Sequence, residues 1–249
     1  MERWSRVERR GGVLEKKLTV AIVMPVYNEK NYIAEVVKRV MDTGVPTELI
    51  IIDDCSKDGT RDELQCIKKG WSYKNCILKV VLHAKNAGKG AALRTGFKNV
   101  TADIVIIQDA DFEYDPKDYP KLLQPIFDGK ADVVFGSRFL GDSHRVLFFW
   151  HMLGNKCLTF VSNMLSNLNL TDMETGYKAF KMDVLGKINL KSDRFGFEPE
   201  ITAKVAKTRC RIYETSISYS GRTYEEGKKI SWKDGIAAFW HIVRFNLFS

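Results

Sequence analysis

Short apolar runs rich in β-branched residues alternate with longer amphipathic segments through the first half of the chain. Such runs are typical of parallel strands that helices cover on both faces. An unbroken alternation of strand and helix predicts right-handed crossovers in a single sheet. The sequence therefore predicts an α/β fold with a mostly parallel sheet, whose first five strands are expected at residues 18–24, 48–52, 76–82, 104–107 and 131–136.

The second half of the chain is less regular. An apolar and aromatic segment at 145–168 is predicted to be helical in its later part, and a helix at 194–207 and a strand at 211–218 follow. No repeat or linker divides the first half. We therefore expect a single domain over residues 18–249, preceded by a basic tail at 1–17.

Three acids follow the apolar run at 104–107 on alternate positions, namely Asp109, Asp111 and Glu113. If the backbone stays extended, a period of two places their carboxylates on one side. These like charges repel one another unless a hard cation lies among them, and oxygen-bound Mg²⁺ or Mn²⁺ keeps open positions for a substrate phosphate. A solvated turn is the alternative interpretation. The position at the carboxyl end of a buried strand favours a ligand site, because ligands of open α/β sheets bind there.

Polar or glycine-rich residues follow the other predicted strands as well. We therefore expect one crevice at this edge of the sheet, faced by Tyr27, Asp53, Asp54, Lys89, Asp109 and Asp111. Gly88 and Gly90 flank Lys89 at the start of a predicted helix, where free backbone N–H groups can bind phosphate. A plain turn explains these glycines equally well. The turn has neither the Walker spacing nor GxGxxG, which argues against an ATPase P-loop or a dinucleotide site.

Charge and cysteine usage limit the classes of function. A net charge of +8 favours an anionic partner, which could be nucleic acid, a nucleotide diphosphate or a lipid surface. The five cysteines form no CxxC pair, so a reducing, cytoplasmic compartment is expected and a zinc site is not. No signal peptide is recognisable, and no apolar run approaches the ~20 residues that span a bilayer. We expect a soluble protein or one bound peripherally at the cytoplasmic face of a membrane.

Seven ordered motifs resemble the family 2 glycosyltransferases, and within them the dolichyl-phosphate mannose synthase group and its bacterial polyprenyl-phosphate relatives. The resemblance covers about residues 18–245 and rests on MPVYNE at 24–29, IIDDCSKDGT at 51–60, NAGKGAALRTGF at 86–97, DADFEYDP at 109–116, GSRF at 136–139, DMETGYK at 172–178 and GRTYEEGKKISWKDG at 221–235. It implies the GT-A fold, a Rossmann-like mostly parallel sheet with helices on both faces. It also implies a nucleotide-sugar donor, a divalent metal and inversion at the anomeric carbon.

The resemblance also implies roles for individual residues. We expect a nucleotide-binding half at 18–108 and a metal and acceptor half at 109–249. The donor is expected to contact Pro25, Tyr27, Glu29, Asp53, Asp54, Lys89, Asp109 and Arg222. Mg²⁺ or Mn²⁺ would be held by Asp109, Asp111 and Glu113, where Glu113 stands in the place of a glutamine of the synthases. The acceptor phosphate would meet Arg138, and the candidates for the rest of that site are Arg145 and Lys156.

The acceptor decides whether a general base is needed. A polyprenyl phosphate is already anionic at pH 7, since the second pKa of a phosphate is about 6. A saccharide hydroxyl needs a base, for which Asp172 and Glu174 are the candidates, although both acids could simply cap a helix or turn. Transfer of a hexose from a GDP-mannose or UDP-glucose type of donor to a polyprenyl phosphate is the favoured prediction. A soluble saccharide-elongating transferase is the alternative.

Two other classes of protein explain the sequence less well. A nucleotidyltransferase could use the same acids, but the segment at 221–229 argues against it. A nucleic-acid binder would explain the charge and leave the acids without a role, so nucleic acid is not expected as a partner.

Two segments carry features that suit a surface-bound enzyme. A stripe at helical spacing, near the basic side chains of Lys233, His241 and Arg244, consists of Trp232, Ile236, Phe239, Trp240, Val243 and Leu247. Packing on the protein's own core is the more frequent explanation of such a stripe. A peripheral anchor formed together with residues 148–150 is the alternative, because aromatic side chains flanked by cations suit the headgroup boundary. The basic segment at 220–230, with Gly221 and Gly227, is predicted to be a hinged lid over an anion.

Overall fold

A computed structural model of the protein describes residues 18–141, 145, 148–194, 196–222 and 232–248, without the side chains of 232–234. The predicted basic tail and most of the predicted lid, including Gly227, lie outside the described residues. The side chains of Trp232, which belongs to the apolar stripe, and of Lys233 beside it lie outside them too.

Seven strands form one sheet in the order β3-β2-β1-β4-β6-β5-β7. The strands are β1 (Val20–Val26), β2 (Glu48–Asp53), β3 (Ile77–Leu82), β4 (Ile104–Ile107), β5 (Val133–Ser137), β6 (Lys178–Lys181) and β7 (Ile212–Ser216). Neighbouring strands run parallel except where β6 pairs with β4 and with β5. The predicted mostly parallel sheet is confirmed, and the predicted strands lie close to their expected bounds.

Helices connect most of the strands. They are α1 (Ile33–Asp42), α2 (Thr60–Lys69), α3 (Lys89–Lys98), α4 (Tyr119–Phe127), α5 (Phe149–Ser166), α6 (Met182–Leu185), α7 (Phe197–Lys207) and α8 (Trp232–Leu247). Among the described residues, no helix is both long enough and apolar enough to cross a membrane.

The core consists of two layers, one on each face of the sheet. Alternate residues of β1 belong to different layers, since Ile22 packs in one cluster and Val23 in the other. The first cluster includes residues of α1, α2 and α4, and the second includes residues of α3 and α7. This alternation is what a strand with both faces covered requires. The helices therefore cover both faces, as predicted.

Strand β6 is the element that the sequence does not reveal. Its four residues, KAFK, lie between β4 and β5, where Phe180 pairs with Val105 and with Val133. Its first residue, Lys178, is fully buried. A run this short, with a lysine at each end, gives no periodic signal and resembles a turn. Its antiparallel insertion brings the DMETG motif, residues 172–176, to the carboxyl end of β4.

Candidate active site

A cleft of about 390 Å³ lies at the carboxyl ends of β1, β2 and β4. Every predicted donor or metal residue lines it except Asp53, namely Pro25, Tyr27, Glu29, Asp54, Lys89, Asp109, Asp111, Glu113 and Arg222. Arg194 and Tyr219 also line the cleft and were not predicted. Both follow from the tertiary fold, since Arg194 lies before α7 and Tyr219 after β7, more than 80 residues along the chain from β4.

The first acid of the cleft is held by a lysine from α3. Lys89 Nζ lies 2.9 Å from Asp109 Oδ1 and 3.1 Å from Glu198 Oε1 at the start of α7. The DMETG motif can approach Asp109 closely because residue 176 is glycine. A Cβ at this position would lie 2.5 Å from Asp109 Oδ2. Glu198 is a site residue that sequence reasoning missed.

The other two acids pair with one arginine. Arg222 Nη2 donates to Asp111 Oδ2 at 2.6 Å, and the Arg222 backbone N–H donates to Glu113 Oε1 at 2.9 Å. Glu29 Oε2 lies 3.6 Å from Arg222 Nη1. Burial raises the pKa of Asp111 to about 7, and the negative charges of Asp109 and Glu113 add to the shift while Arg222 opposes it. The pKa of Asp111 is raised although Arg222 lies beside it, so this arginine does not fully offset burial and the neighbouring carboxylates.

The acids fit a hard divalent cation by their chemistry. The described residues contain no group of three or more His, Cys, Asp or Glu side chains arranged as a metal cage. Mg²⁺ is usually bound through one or two carboxylates together with substrate phosphates, so a complete protein cage is not required. Asp109 and Asp111 supply oxygen ligands of this kind, and the raised pKa of Asp111 indicates that a cation would be favoured there.

Two consecutive aspartates stand at the end of β2, and of the two Asp54 lines the cleft. Asp53 is fully buried and accepts a hydrogen bond from Arg61 Nε at 2.6 Å. Asp54 accepts the backbone N–H groups of Ala87 and Gly88 at 2.9 and 2.6 Å, and its Oδ1 lies 2.8 Å from His83 Nδ1. These bonds fix the turn that begins α3.

Gly88 occupies this turn for a steric reason. Its φ is +95°, and a Cβ at this position would lie 2.5 Å from the carbonyl oxygen of Asp193. A side chain is therefore excluded both by conformation and by space. The loop before α3 and the segment before α7 can approach closely, which completes the cleft on the side of Arg194.

Two of the predicted acceptor residues, Arg138 and Lys156, lie near aromatic rings beside the cleft. Arg138 forms a bidentate pair with Asp172, at 2.6 and 2.7 Å, and its guanidinium lies 5.1 Å from the centre of the Tyr219 ring. The backbone N–H of Arg145 donates to the carbonyl oxygen of Tyr219. Lys156 Nζ lies 5.7 Å from the centre of the Phe139 ring. Since Tyr219 lines the cleft, this cationic group adjoins the acidic one.

The two candidate bases differ in their surroundings. Asp172 is fully buried and bound to Arg138 on both oxygens. Glu174 Oε1 is buried, and no hydrogen-bond partner for it lies among the residues that the structure describes. Burial and the nearby charge of Glu198 raise the pKa of Glu174 to about 8. Burial lowers the pKa of neighbouring Lys178 to about 8. Of the two acids, Glu174 has the properties of a base.

Comparison with known proteins agrees with this geometry. Residues 21–188 match the glycosyl transferase family 2. The chain belongs to this family. An undecaprenyl-phosphate mannosyltransferase of Micrococcus luteus is 27% identical over 85% of this chain and 87% of its own length. Glycosyltransferase AglJ of Haloferax volcanii is 30% identical over 82% of this chain and 63% of its own length.

A further family member and a solved structure extend the comparison. A dolichol-phosphate mannosyltransferase of Pyrococcus furiosus is 24% identical over 85% of this chain and 59% of its own length. A glucosyl-3-phosphoglycerate synthase of Mycobacterium tuberculosis, solved with Mn²⁺, uridine diphosphate and phosphoglyceric acid, superposes with a TM-score of 0.69 at 18% identity, over 93% of this chain and 80% of that one. The expected GT-A fold is confirmed, and the protein is a glycosyltransferase.

Proposed function

We propose that this glycosyltransferase moves a hexose from a nucleoside-diphosphate sugar to a polyprenyl phosphate at a membrane surface, with inversion at the anomeric carbon and with Mg²⁺ or Mn²⁺. The observation that carries the proposal is the adjacency of two oppositely charged groups. Asp109 and Asp111 line the cleft, and Arg138 lies against Tyr219 at its side. Two of the relatives are named as polyprenyl-phosphate mannosyltransferases, which supports a lipid phosphate as the acceptor.

The acidic group is suited to the donor diphosphate. Asp109 and Asp111 would hold the metal, which when bound neutralises charge on the leaving nucleoside diphosphate. Arg222 lies among the same carboxylates and is the cation best placed to add to this stabilisation. Lys89, at the start of α3, holds Asp109 in position from the opposite side.

The cationic group is suited to the acceptor. Arg138 is held by Asp172, so its guanidinium is oriented before any ligand arrives. Lys156 lies near the Phe139 ring, and the Arg145 backbone N–H donates to the carbonyl oxygen of Tyr219. A phosphate oxygen that is already anionic attacks the anomeric carbon without a base. Asp172 then has a positioning role, because both of its oxygens are occupied by Arg138.

A mass-spectrometric transfer assay tests the proposal. The purified protein would be incubated with a panel of nucleotide sugars, Mn²⁺ or Mg²⁺ and a short-chain prenyl phosphate. We expect a glycosylated prenyl phosphate, its loss on chelation with EDTA, and a fall of several orders of magnitude for Asp111→Asn in a protein that remains folded. Full activity in excess EDTA would show that transfer does not depend on a divalent metal.

A saccharide hydroxyl is the second candidate acceptor. Glu174 favours it, because its buried Oε1 has no hydrogen-bond partner in the described part of the chain and because a general base works best with a pKa near the working pH. Transfer to a saccharide, with none to the prenyl phosphate, would decide for this alternative.

A further inference from the structure

Helix α5 carries its apolar side chains on the outside. Its fully buried residues are Thr159 and Ser162. Its exposed side chains include five large apolar ones, namely Phe149, Trp150, Leu153, Phe160 and Met164. Trp150 is 77% exposed and Phe160 is 69% exposed. Because an amphipathic helix of a protein surrounded by water turns its apolar stripe inward, the outer face of α5 is suited to a medium other than water.

Helix α8 contacts α5 and has a similar outer face. Ala238, Ile242 and Phe245 are buried, so part of the helix docks on the core as expected. The exposed apolar side chains of α8 are Ile236, Phe239, Trp240 and Leu247. Exposed apolar side chains concentrated on two adjoining helices mark an interaction site, whereas scattered ones are ordinary.

The charges of the two helices identify the partner. The sequence of α5 contains no acidic residue, and that of α8 contains Asp234 as its one acid. Lys156 of α5 and Arg244 of α8 are exposed. Tryptophan and phenylalanine together with cations, and few acids, are the composition of a surface at the headgroup boundary of an anionic bilayer. An apolar protein partner would not require this charge bias.

The same face leads to the candidate acceptor residues. Lys156 Nζ lies 5.7 Å from the centre of the Phe139 ring, and the Arg138 guanidinium lies 5.8 Å from the centre of that ring. An acceptor whose phosphate binds at Arg138 would therefore have its apolar chain near α5. Helix α5 therefore lies beside the candidate acceptor residues.

We propose that the exposed faces of α5 and α8 bind the surface of an anionic lipid bilayer and present a membrane-embedded acceptor to the cleft. The proposal rests on the proposed function for the identity of the acceptor. The binding of the bilayer itself rests on the exposed side chains and their charge.

Vesicle flotation tests the proposal with the full chain. Vesicles of phosphatidylcholine with phosphatidylglycerol would be compared with vesicles of phosphatidylcholine alone, for the wild type and for the double variant Trp150→Ser/Trp240→Ser. The matched control is Ile77→Ser/Leu82→Ser, which removes two exposed apolar side chains from the edge strand β3. Transfer to a short-chain prenyl phosphate in water would be measured for all three proteins, together with their thermal unfolding.

We expect the wild type to float with the anionic vesicles, and binding to weaken as salt is added. The Trp150/Trp240 variant should lose roughly tenfold in vesicle partition for each side chain, and the β3 control should behave as the wild type. All three proteins should glycosylate the short acceptor at similar rates. Vesicle binding without transfer to the prenyl phosphate would reject the proposed function but would still support bilayer binding by α5 and α8.

Three results would overturn the proposal that α5 and α8 bind a bilayer. The first is a wild type that fails to float at low salt while it glycosylates the short acceptor. The second is a Trp150/Trp240 variant that floats as well as the wild type. The third is a wild-type dimer, without vesicle binding, that the double variant does not form, since this face would then be an interface between two copies.

Discussion

Arg222 occupies the place among the carboxylates that a divalent cation would need. Its guanidinium lies 2.6 Å from Asp111 and 3.6 Å from Glu29. A metal that enters must displace it, and displacement of a charge-assisted hydrogen bond costs about 1.5–3 kcal/mol. We therefore expect Arg222→Gln to bind Mn²⁺ about tenfold more tightly than the wild type without nucleotide, measured by electron paramagnetic resonance. Turnover should fall, because the cation that acts on the diphosphate is lost.

A surface arginine provides the control for this experiment. Arg211 pairs with Asp132 at 2.7 Å, and its side chain is 55% exposed. Arg211→Gln should leave both Mn²⁺ affinity and turnover unchanged. Mn²⁺ binding by Arg222→Gln that is equal to or weaker than that of the wild type would show that Arg222 does not compete for the site.

The pKa of Glu174 distinguishes the two candidate acceptors. Because burial raises this pKa to about 8, the side chain is mostly protonated at pH 7, and a glutamine there resembles the neutral acid. If a prenyl phosphate is the acceptor, Glu174→Gln should keep the wild-type rate within about twofold at pH 7. The wild-type rate should then show no rise as the pH passes 8.

A general base would behave in the opposite way. Only the deprotonated form can accept a proton, so the rate would rise as the pH passes 8 and level off above it, and Glu174→Gln would lose about 10²–10⁴ in rate. Initial rates measured from about pH 6 to pH 9 separate the two cases. Glu35→Gln, which changes an exposed acid of α1, is the control for a change of charge alone.

The acids of the site were predictable from the sequence, whereas several of their partners were not. Asp109 and Asp111 follow a buried strand on alternate positions, and period and position together indicate a site. Arg194 and Tyr219 line the cleft, and Glu198 contacts Lys89 there, from segments more than 80 residues further along the chain. No local pattern reveals such contacts, since they depend on how α7 and the end of β7 pack against the sheet.

Strand β6 shows where periodicity fails as a guide to the elements. Four residues provide too few positions for alternation to appear, and the antiparallel insertion depends on the pairing of Ala179 with Ile106 and Val134. Helix α5 shows a different limit. Its apolar residues suggest a core helix, but its buried positions are Thr159 and Ser162. Hydrophobicity alone does not reveal the side to which a helix turns.

The contact between α3 and the sheet depends on Gly96. A Cβ at this position would lie 2.3 Å from Val23 Cγ1 and 2.8 Å from Ile52 Cδ1, both in a fully buried layer. Overpacking costs about 1–3 kcal/mol, and the higher helix propensity of alanine returns at most about 1 kcal/mol. Gly96→Ala should therefore lower the free energy of unfolding, measured in urea at constant m-value.

Gly154 in α5 is the matched glycine, because a Cβ there would meet nothing within 4 Å. Gly154→Ala should raise the free energy of unfolding by about 0.5–1 kcal/mol through helix propensity alone. If Gly96→Ala is as stable as Gly154→Ala, then α3 does not pack on the sheet as closely as described.

The two predicted halves of the chain share one sheet and both core layers. Strand β4 of the first half pairs with β6 of the second, and each hydrophobic cluster contains residues from both. The predicted single domain from residue 18 to 249 therefore requires that neither half unfold alone. We expect a single transition in urea, with the same midpoint by far-ultraviolet circular dichroism and by tryptophan fluorescence.

Because both halves contain tryptophan, fluorescence can follow the unfolding of each half. Trp71 packs against the first core layer, whereas Trp150 and Trp240 lie in the second half. The double variant Trp4→Phe/Trp71→Phe confines the fluorescence to the second half, so a midpoint that separates from that of circular dichroism would show two independently folding units. Because the cleft takes Asp54 from one half and Arg222 from the other, a nucleoside diphosphate with Mn²⁺ should stabilise the whole transition. At a hundred times its Kd the expected gain is about 2.7 kcal/mol for both probes, and a gain seen by one probe alone would contradict the single domain.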